Sequence, residues 1–254
     1  MFNQILDKYH IKEVVENKVG LSNDRVYYLK SDKQNYYLKI SSNKEILNEV
    51  KAYRFLKGKV SVPKVYEFFN REGNYYLLMS EVKGKMLYEL LENDIKQTII
   101  IYAKSLKQLH EVDIHDYDGN RDISTIVSEI KYRLDQIDVN ELESQTRQWG
   151  IQKTYQRLIE LLPSKRDLVF VHGDYCMPNI LIENGHPSFI DLGRSGIDDR
   201  YNDIAIALRS LKMNIAMIGQ PFLPEYNTLF LETYGIKQVD DSKCEFYYLL
   251  DEFF

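Results

Sequence analysis

Residues 171–193, VHGDYCMPNILIENGHPSFIDLG, decide how this chain is read. They continue a β-branched and aromatic run that begins at Leu168, which predicts a strand. Beyond it stand His172, Gly173 and Asp174, with Asn179 five positions after the aspartate. Two short apolar runs flanking Asn184-Gly185 then predict a hairpin, and Asp191-Leu192-Gly193 closes the stretch. Phosphoryl transfer asks for little covalent help from a protein. It needs a carboxylate at the acceptor hydroxyl and oxygen ligands for the magnesium that neutralises the phosphates. Asp174 suits the first role, Asn179 and Asp191 the second. Taken singly, an Asx turn accounts for Asp174 and Asn179, and a helix cap for Asp191; the three together, in this order, favour the chemical reading.

Upstream, VYYLKSDKQNYYLKI (26–40) holds two Tyr/Leu/Ile-rich runs around a polar turn, a further hairpin. KEILNEVKAYRFLKG (44–58) spaces Ile46, Leu47, Val50, Tyr53 and Leu56 at helical intervals and ends on Gly58, the expected C-cap. VPKVYEFFNREGNYYLLMSEV (62–82) adds two strands around a turn at 70–74. After Gly84 the period changes. ELLENDIKQTIIIYAKSLKQLHEV (89–112) and ISTIVSEIKYRLDQI (123–137) carry apolar residues at three- and four-residue steps, as amphipathic helices do. The expected class is α+β with two lobes, a small antiparallel sheet with one main helix over residues 1–82 and a larger, mostly helical part over 83–254. Lys39 sits inside an apolar strand and Glu49 on the helix after it. Alone they read as a solvent-facing strand lysine and a solvated helix charge, and they gain weight only from the downstream motif.

Composition narrows the possibilities. A chain of 254 residues with 44% hydrophobic content and 20 Tyr is built to bury cores rather than to stay disordered. A formal charge of -5 speaks against a nucleic-acid or anionic-membrane partner, whose surfaces demand clustered Lys and Arg. Cys176 and Cys244 have no metal-ligand spacing and form no disulfide framework. The opening MFNQILDKYH lacks the basic-then-apolar profile of a signal peptide, so the expected compartment is the cytoplasm.

Protein kinases arrange the same parts as H-R-D-x-x-x-x-N and D-F-G; the forms here are His-Gly-Asp-x4-Asn and Asp-Leu-Gly. With VGLSNDRVYYL (19–29), LLMSEVKG (77–84), VHGDYCMPNI (171–180), FIDLGRSGIDDRYNDIAIALRS (189–210) and the terminal YYLLDEFF, the chain resembles the aminoglycoside 3′-phosphotransferase family, a branch of the protein-kinase-like fold. The likeness runs from about residue 18 to the end. Its most specific marks are GRSGIDDRYNDIA and LLDEFF.

The resemblance implies an enzyme that moves the γ-phosphoryl group of ATP, with Mg2+, onto the 3′-hydroxyl of an aminoglycoside such as kanamycin. Asp174 would be the base, and Asn179 and Asp191 the magnesium ligands. Lys39 would meet nucleotide phosphates and pair with Glu49, and Ser22 would lie in the loop over the phosphates. Tyr37 would stack on adenine, Ser80 and Val82 would offer backbone groups to its edge, and Met79 would stand behind the pocket. Aminoglycosides carry several ammonium groups, so their pocket calls for carboxylates; Asp251, Glu252 and the α-carboxylate of Phe254 match the family's set, with Glu141 and Glu143 as further candidates. Arg194 matches a family residue near the site, although a salt bridge anchoring a helix or loop explains an Arg there as well. Asp203 reads as a structural acceptor for the catalytic loop, and His172 as its support from the core. Other readings are a kinase of choline or a macrolide on the same scaffold, or a non-catalytic nucleotide-binding module.

Overall fold

The computed structural model describes residues 2–17, 24–119 and 121–253, with all their side chains except those at positions 2, 3, 141, 144 and 145. Ser22 and Phe254 lie outside the described residues, and of Glu141 only the backbone is within them. The chain forms two compact units, Met1–Lys85 with Leu181–Ser195, and Met86–Ile180 with Gly196–Phe254.

The first unit opens with α1 (Phe2–Lys8) and β1 (Ile11–Asn17), followed by β2 (Arg25–Ser31), β3 (Tyr36–Ser41), α2 (Glu45–Leu56), β4 (Val65–Arg71) and β5 (Asn74–Ser80). Its sheet has the order β1-β2-β3-β5-β4, every pair antiparallel. The two hairpins and the helix stand where the residue pattern predicts them. α1 and β1 carry no such signal, because LDKYHIKEVVEN mixes charge with every apolar pair. The two-residue periodicity of strands sends Tyr36, Leu38 and Ile40 into a core shared with Leu29, Leu78 and Ile5 of α1. Tyr37 and Lys39 therefore share the other face. α2 buries Ile46, Val50, Ala52, Tyr53 and Leu56, but also Glu49, while Leu47 is 42% exposed. Glu49 falls on the same helix face as Ile46, Val50 and Tyr53, so the buried side of α2 includes a carboxylate. Gly58 follows the helix at φ 81°, and the C-cap itself is Lys57.

The second unit runs from the end of β6 (Lys85–Met86) through α3 (Ile95–His110), α4 (Ile123–Arg133), α5 (Ser144–Trp149), α6 (Ile151–Glu160) and β7 (Leu168–Val171). The chain then forms β8 (Ile180–Glu183) and β9 (His186–Phe189), most of which belongs to the first unit, and returns as β10 (Gly196–Asp199), α7 (Tyr201–Met217), α8 (Pro224–Tyr234) and α9 (Asp241–Asp251). The β8–β9 turn is Asn184-Gly185, at φ 51° and 81°, the two-residue signal for a tight hairpin. α3 packs on α8 and α7 on α9; β7 pairs antiparallel with β10, Val171 opposite Gly196. Asp94 caps α3 by accepting from the Gln97 amide, and Asp240 caps α9 through the Lys243 amide. This is the expected α+β organisation, a small sheet unit and a mostly helical one. No described helix is long and apolar enough to cross a membrane.

Candidate active site

In the first unit Lys39 gathers carboxylates from three separate places in the chain. Its Nζ lies 2.9 Å from Glu49 Oε2 on α2, 2.9 Å from Asp191 Oδ1 and 3.5 Å from Asp24 Oδ2. Burial pulls the ammonium pKa down, but the fields of Glu49 and Asp191 outweigh it and hold Lys39 above the usual lysine range. Burial likewise raises the Glu49 carboxyl, against the pull of Lys39. Tyr53, one helical turn beyond Glu49, joins the set: its hydroxyl donates to Glu49 Oε1 (2.7 Å) and accepts the Asp191 amide (3.0 Å).

The Asp191 segment is tied to α2 at further points. Asn48 Nδ2 donates to the carbonyls of Gly193 and Ser195 at 2.9 and 2.6 Å. A Cβ on Gly193 would stand 3.3 Å from Glu45 Cβ, a close approach that a larger residue could make only with a shift of a few tenths of an ångström. Asp191 itself has φ 58°, a left-handed conformation that aspartate tolerates better than most residues. Arg194 Nε lies 4.0 Å from Glu45 Oε1 on α2.

Strand register sets the neighbourhood of Tyr37. It stands opposite Tyr28 on β2 and Met79 on β5, as Lys39 stands opposite Val26 and Leu77. The Tyr28 and Tyr37 ring centroids are 5.1 Å apart. The Ser80 amide donates to the Lys64 carbonyl (2.9 Å) and the Glu81 amide to that of Asn35 (3.2 Å). The Ser80 amide is thereby committed within the sheet.

In the second unit, β7 ends at Val171 and the chain turns through Gly173, at φ 80°. Asp203 on α7 holds this turn: Oδ2 accepts the His172 amide (2.6 Å) and Oδ1 the Gly173 amide (2.8 Å). Asp203 Oδ2 also lies 2.9 Å from His110 Nε2, whose Nδ1 is 2.8 Å from the Tyr234 hydroxyl, itself an acceptor for Arg200. An Nε2–H tautomer of His110 satisfies every one of these bonds. The His172 ring is fully buried, edge-on to Tyr175 at 5.9 Å, with no partner for either nitrogen among the described residues. It fills the core beneath the loop.

Further along the loop, Ser210 Oγ accepts the Met177 amide, and Tyr102 donates to the Tyr175 carbonyl while Tyr175 donates to that of Tyr102. Asn179 Nδ2 donates to Asp174 Oδ2 (3.0 Å) and to the Asp174 carbonyl (3.1 Å). Asn179 thus orients the Asp174 carboxylate through a neutral donor.

A second set of acids gathers at the end of α9. Asp251 pairs with Arg209 of α7, Arg209 Nε lies 3.7 Å from Glu143 Oε1, and the Tyr248 hydroxyl donates to Glu143 Oε2. Glu252 Oε2 accepts the Glu143 amide (2.9 Å) and the Thr146 hydroxyl (3.0 Å). Burial raises the Glu252 carboxyl pKa, with the Glu143 charge adding to it against its hydrogen bonds. The tail that carries these groups is docked, with Tyr247, Leu249, Leu250 and Phe253 all buried. Asp251, Glu252 and Glu143 are thus brought together. From sequence, no site role is assigned to Tyr53, Asp24, Arg209 or His110, although Asp24 and Arg209 stand within the family-like stretches 19–29 and 189–210.

The IDDR tract is a buried scaffold. Asp198 accepts from Tyr247 (3.0 Å) and Asn202 (3.2 Å) beside Arg166, and Asp199 meets Lys243 at 2.5 Å. Burial raises the Asp198 carboxyl despite Arg121.

These groups are the parts of a kinase, a lysine fixed by a helix glutamate and a carboxylate-bearing loop after a strand, and the wider comparison agrees. The family model for the phosphotransferase enzyme family matches residues 13–247. The chain is 35% identical to an aminoglycoside 3′-phosphotransferase of Niallia circulans, over 99% of this chain and 96% of that one. Its structure superposes on the crystal structure of an aminoglycoside 3′-phosphotransferase of type VIII with TM-score 0.84 and 25% identity, covering 100% and 97% of the two chains. A Streptomyces rimosus aminoglycoside phosphotransferase, solved with ADP and streptomycin, shares the fold at TM-score 0.76 and 19% identity, covering 99% and 96%. The chain belongs to the phosphotransferase enzyme family and, within it, to the aminoglycoside 3′-phosphotransferases. It is a kinase-type transferase of the protein-kinase-like fold.

Proposed function

We propose that this enzyme transfers the γ-phosphoryl group of ATP to the 3′-hydroxyl of an aminoglycoside such as kanamycin, in the cytoplasm, and so confers resistance to the drug. The observation that carries the reading is the bonding of Lys39 to both Glu49 and Asp191 at 2.9 Å, the lysine arrangement by which kinases hold nucleotide phosphates. Residues 1–82 supply the nucleotide contacts, with Tyr37 and Met79 against the base and Val82 at its edge. Residues 83–254 supply the catalytic loop and the aminoglycoside site.

Asp174 accepts the proton of the attacking hydroxyl, in an orientation kept by Asn179 and by the Asp203 bonds to the loop amides. Asn179 and Asp191 offer oxygen donors, the hard ligands that magnesium takes, and would hold that ion. When bound, magnesium supplies charge neutralisation on the phosphates. Glu143, Asp251 and Glu252 receive ammonium groups of the drug through charge-assisted hydrogen bonds. Adding a dianion to a polycation that binds RNA through its charge weakens that binding.

Incubation with Mg-ATP and kanamycin, amikacin, a macrolide or choline, followed by ADP release, tests the assignment. Turnover is expected with kanamycin, with phosphate on its 3′-oxygen by NMR and a loss of several orders of magnitude in Asp174→Asn. Turnover of choline or the macrolide alone would refute the substrate, and undiminished turnover in Asp174→Asn the base.

A further inference from the structure

We propose that Asp24 occupies, on Lys39, the place that a nucleotide phosphate takes on binding, so that this carboxylate sets how tightly phosphorylated nucleotides are held. The inference rests on the reading of Lys39 as a phosphate contact.

Asp24 immediately precedes β2, two positions before Val26, which faces Lys39 across the β2–β3 pair. Strand alternation puts residues two apart on one face, so Asp24 reaches the lysine from the next row of the sheet.

The three carboxylates on Lys39 are held unequally. Glu49 is 2% exposed at its side chain and fixed by the Tyr53 hydroxyl. Asp191 is fixed through its amide on the same hydroxyl. Asp24 makes the longest of the three contacts, 3.5 Å against 2.9 Å, although its side chain is less exposed than that of Asp191, 16% against 49%. Glu49 and Asp191 already set two carboxyl groups against one ammonium, and Asp24 adds a third, a local excess of acidic groups among the described residues. A phosphate arriving at Lys39 meets that excess. Of the three anions, the most weakly held is the one to yield. Nucleotide affinity is then lowered by the fraction of molecules in which Asp24 covers the lysine, and the reduction applies only to ligands that carry phosphate.

The test measures the affinity of ATP and of adenosine, by calorimetry at fixed magnesium, in the wild type and in Asp24→Asn, Asp24→Glu, Lys39→Met and the double variant Asp24→Asn/Lys39→Met. Expected are an ATP affinity about tenfold tighter in Asp24→Asn, unchanged adenosine binding, near-wild-type values in Asp24→Glu, and no gain from Asp24→Asn once Lys39 is gone. ATP affinity that stays the same or weakens in Asp24→Asn, or adenosine affinity that moves with it, overturns the proposal. Wild-type ATP binding by Lys39→Met removes the phosphate role of the lysine itself and the proposal with it, and that single variant separates the two failures.

Discussion

Tyr53 shows how one hydroxyl can join a pair to a loop. It donates to Glu49 and accepts from the Asp191 amide, so Glu49 stays aimed at Lys39 while the Asp191 backbone is held in its left-handed turn. Tyr53→Phe removes both bonds with little change in shape and leaves a buried carboxylate oxygen and an amide without that partner. The expected cost is about 1–3 kcal/mol of stability by urea denaturation. Turnover should fall more than adenosine affinity changes, since Tyr37 and Met79, the residues proposed to meet the base, keep their places in the sheet. An unaltered kcat would mean that Asp191 is positioned by its own segment alone. Lys39 and Asp191 were legible from their motif. Tyr53 was not, because at helical spacing a tyrosine beside Val50 and Leu56 reads as an ordinary core residue.

At the scale of elements, α7 does most to organise the second unit. One helix face gives Asp203 to the His172 and Gly173 amides and Ser210 to the Met177 amide, and a neighbouring face gives Arg209 to Asp251. That is a physical reason for DRYNDIAIALRS: small Ala205 and Ala207 let the helix lie close to its neighbours, and the polar positions recur at its buried side. Asp203→Asn substitutes an amide NH2 for one of two acceptors facing N–H donors. Stability should drop by about 2–4 kcal/mol, and kcat by two orders of magnitude or more as the Asp174 loop loses its anchor, with ATP affinity within a few-fold of wild type. Chemical denaturation and steady-state kinetics check this, and a normal kcat would show that the loop keeps its geometry without Asp203.

At the scale of the whole molecule, the acid set exists only through folding. Glu143, Arg209, Tyr248, Asp251 and Glu252 come from the start of α5, from α7 and from the end of α9. Burial raises the Glu252 carboxyl above the ordinary glutamate value, and its ionised form is the one that attracts an ammonium. As pH falls, Glu252 therefore takes up its proton earlier than a free glutamate would. The KM for kanamycin should begin to climb in mildly acid solution, above the normal carboxylate range, while the KM for ATP stays flatter. Glu252→Gln should raise the KM at neutral pH and flatten this limb of the profile; an unchanged profile would exclude Glu252 as the titrating group.

The sequence by itself determined the phosphoryl-transfer motif, the β2–β3, β4–β5 and β8–β9 hairpins, and the helices α2, α3 and α4, because each is written in local spacing: strand alternation, helical steps, a turn glycine. It could not determine α1 and β1, whose apolar pairs are diluted by charge, and its residue pattern apart from the family likeness did not show that Glu49 is buried, because a helix glutamate reads as solvated. Only the tertiary structure decided that Asp24, Glu49 and Asp191 share one lysine and that Arg209 stands among the candidate substrate acids. Electrostatic partners meet through space whatever their separation along the chain, 10 residues for Lys39 and Glu49 and 152 for Lys39 and Asp191, and no local pattern records which will meet.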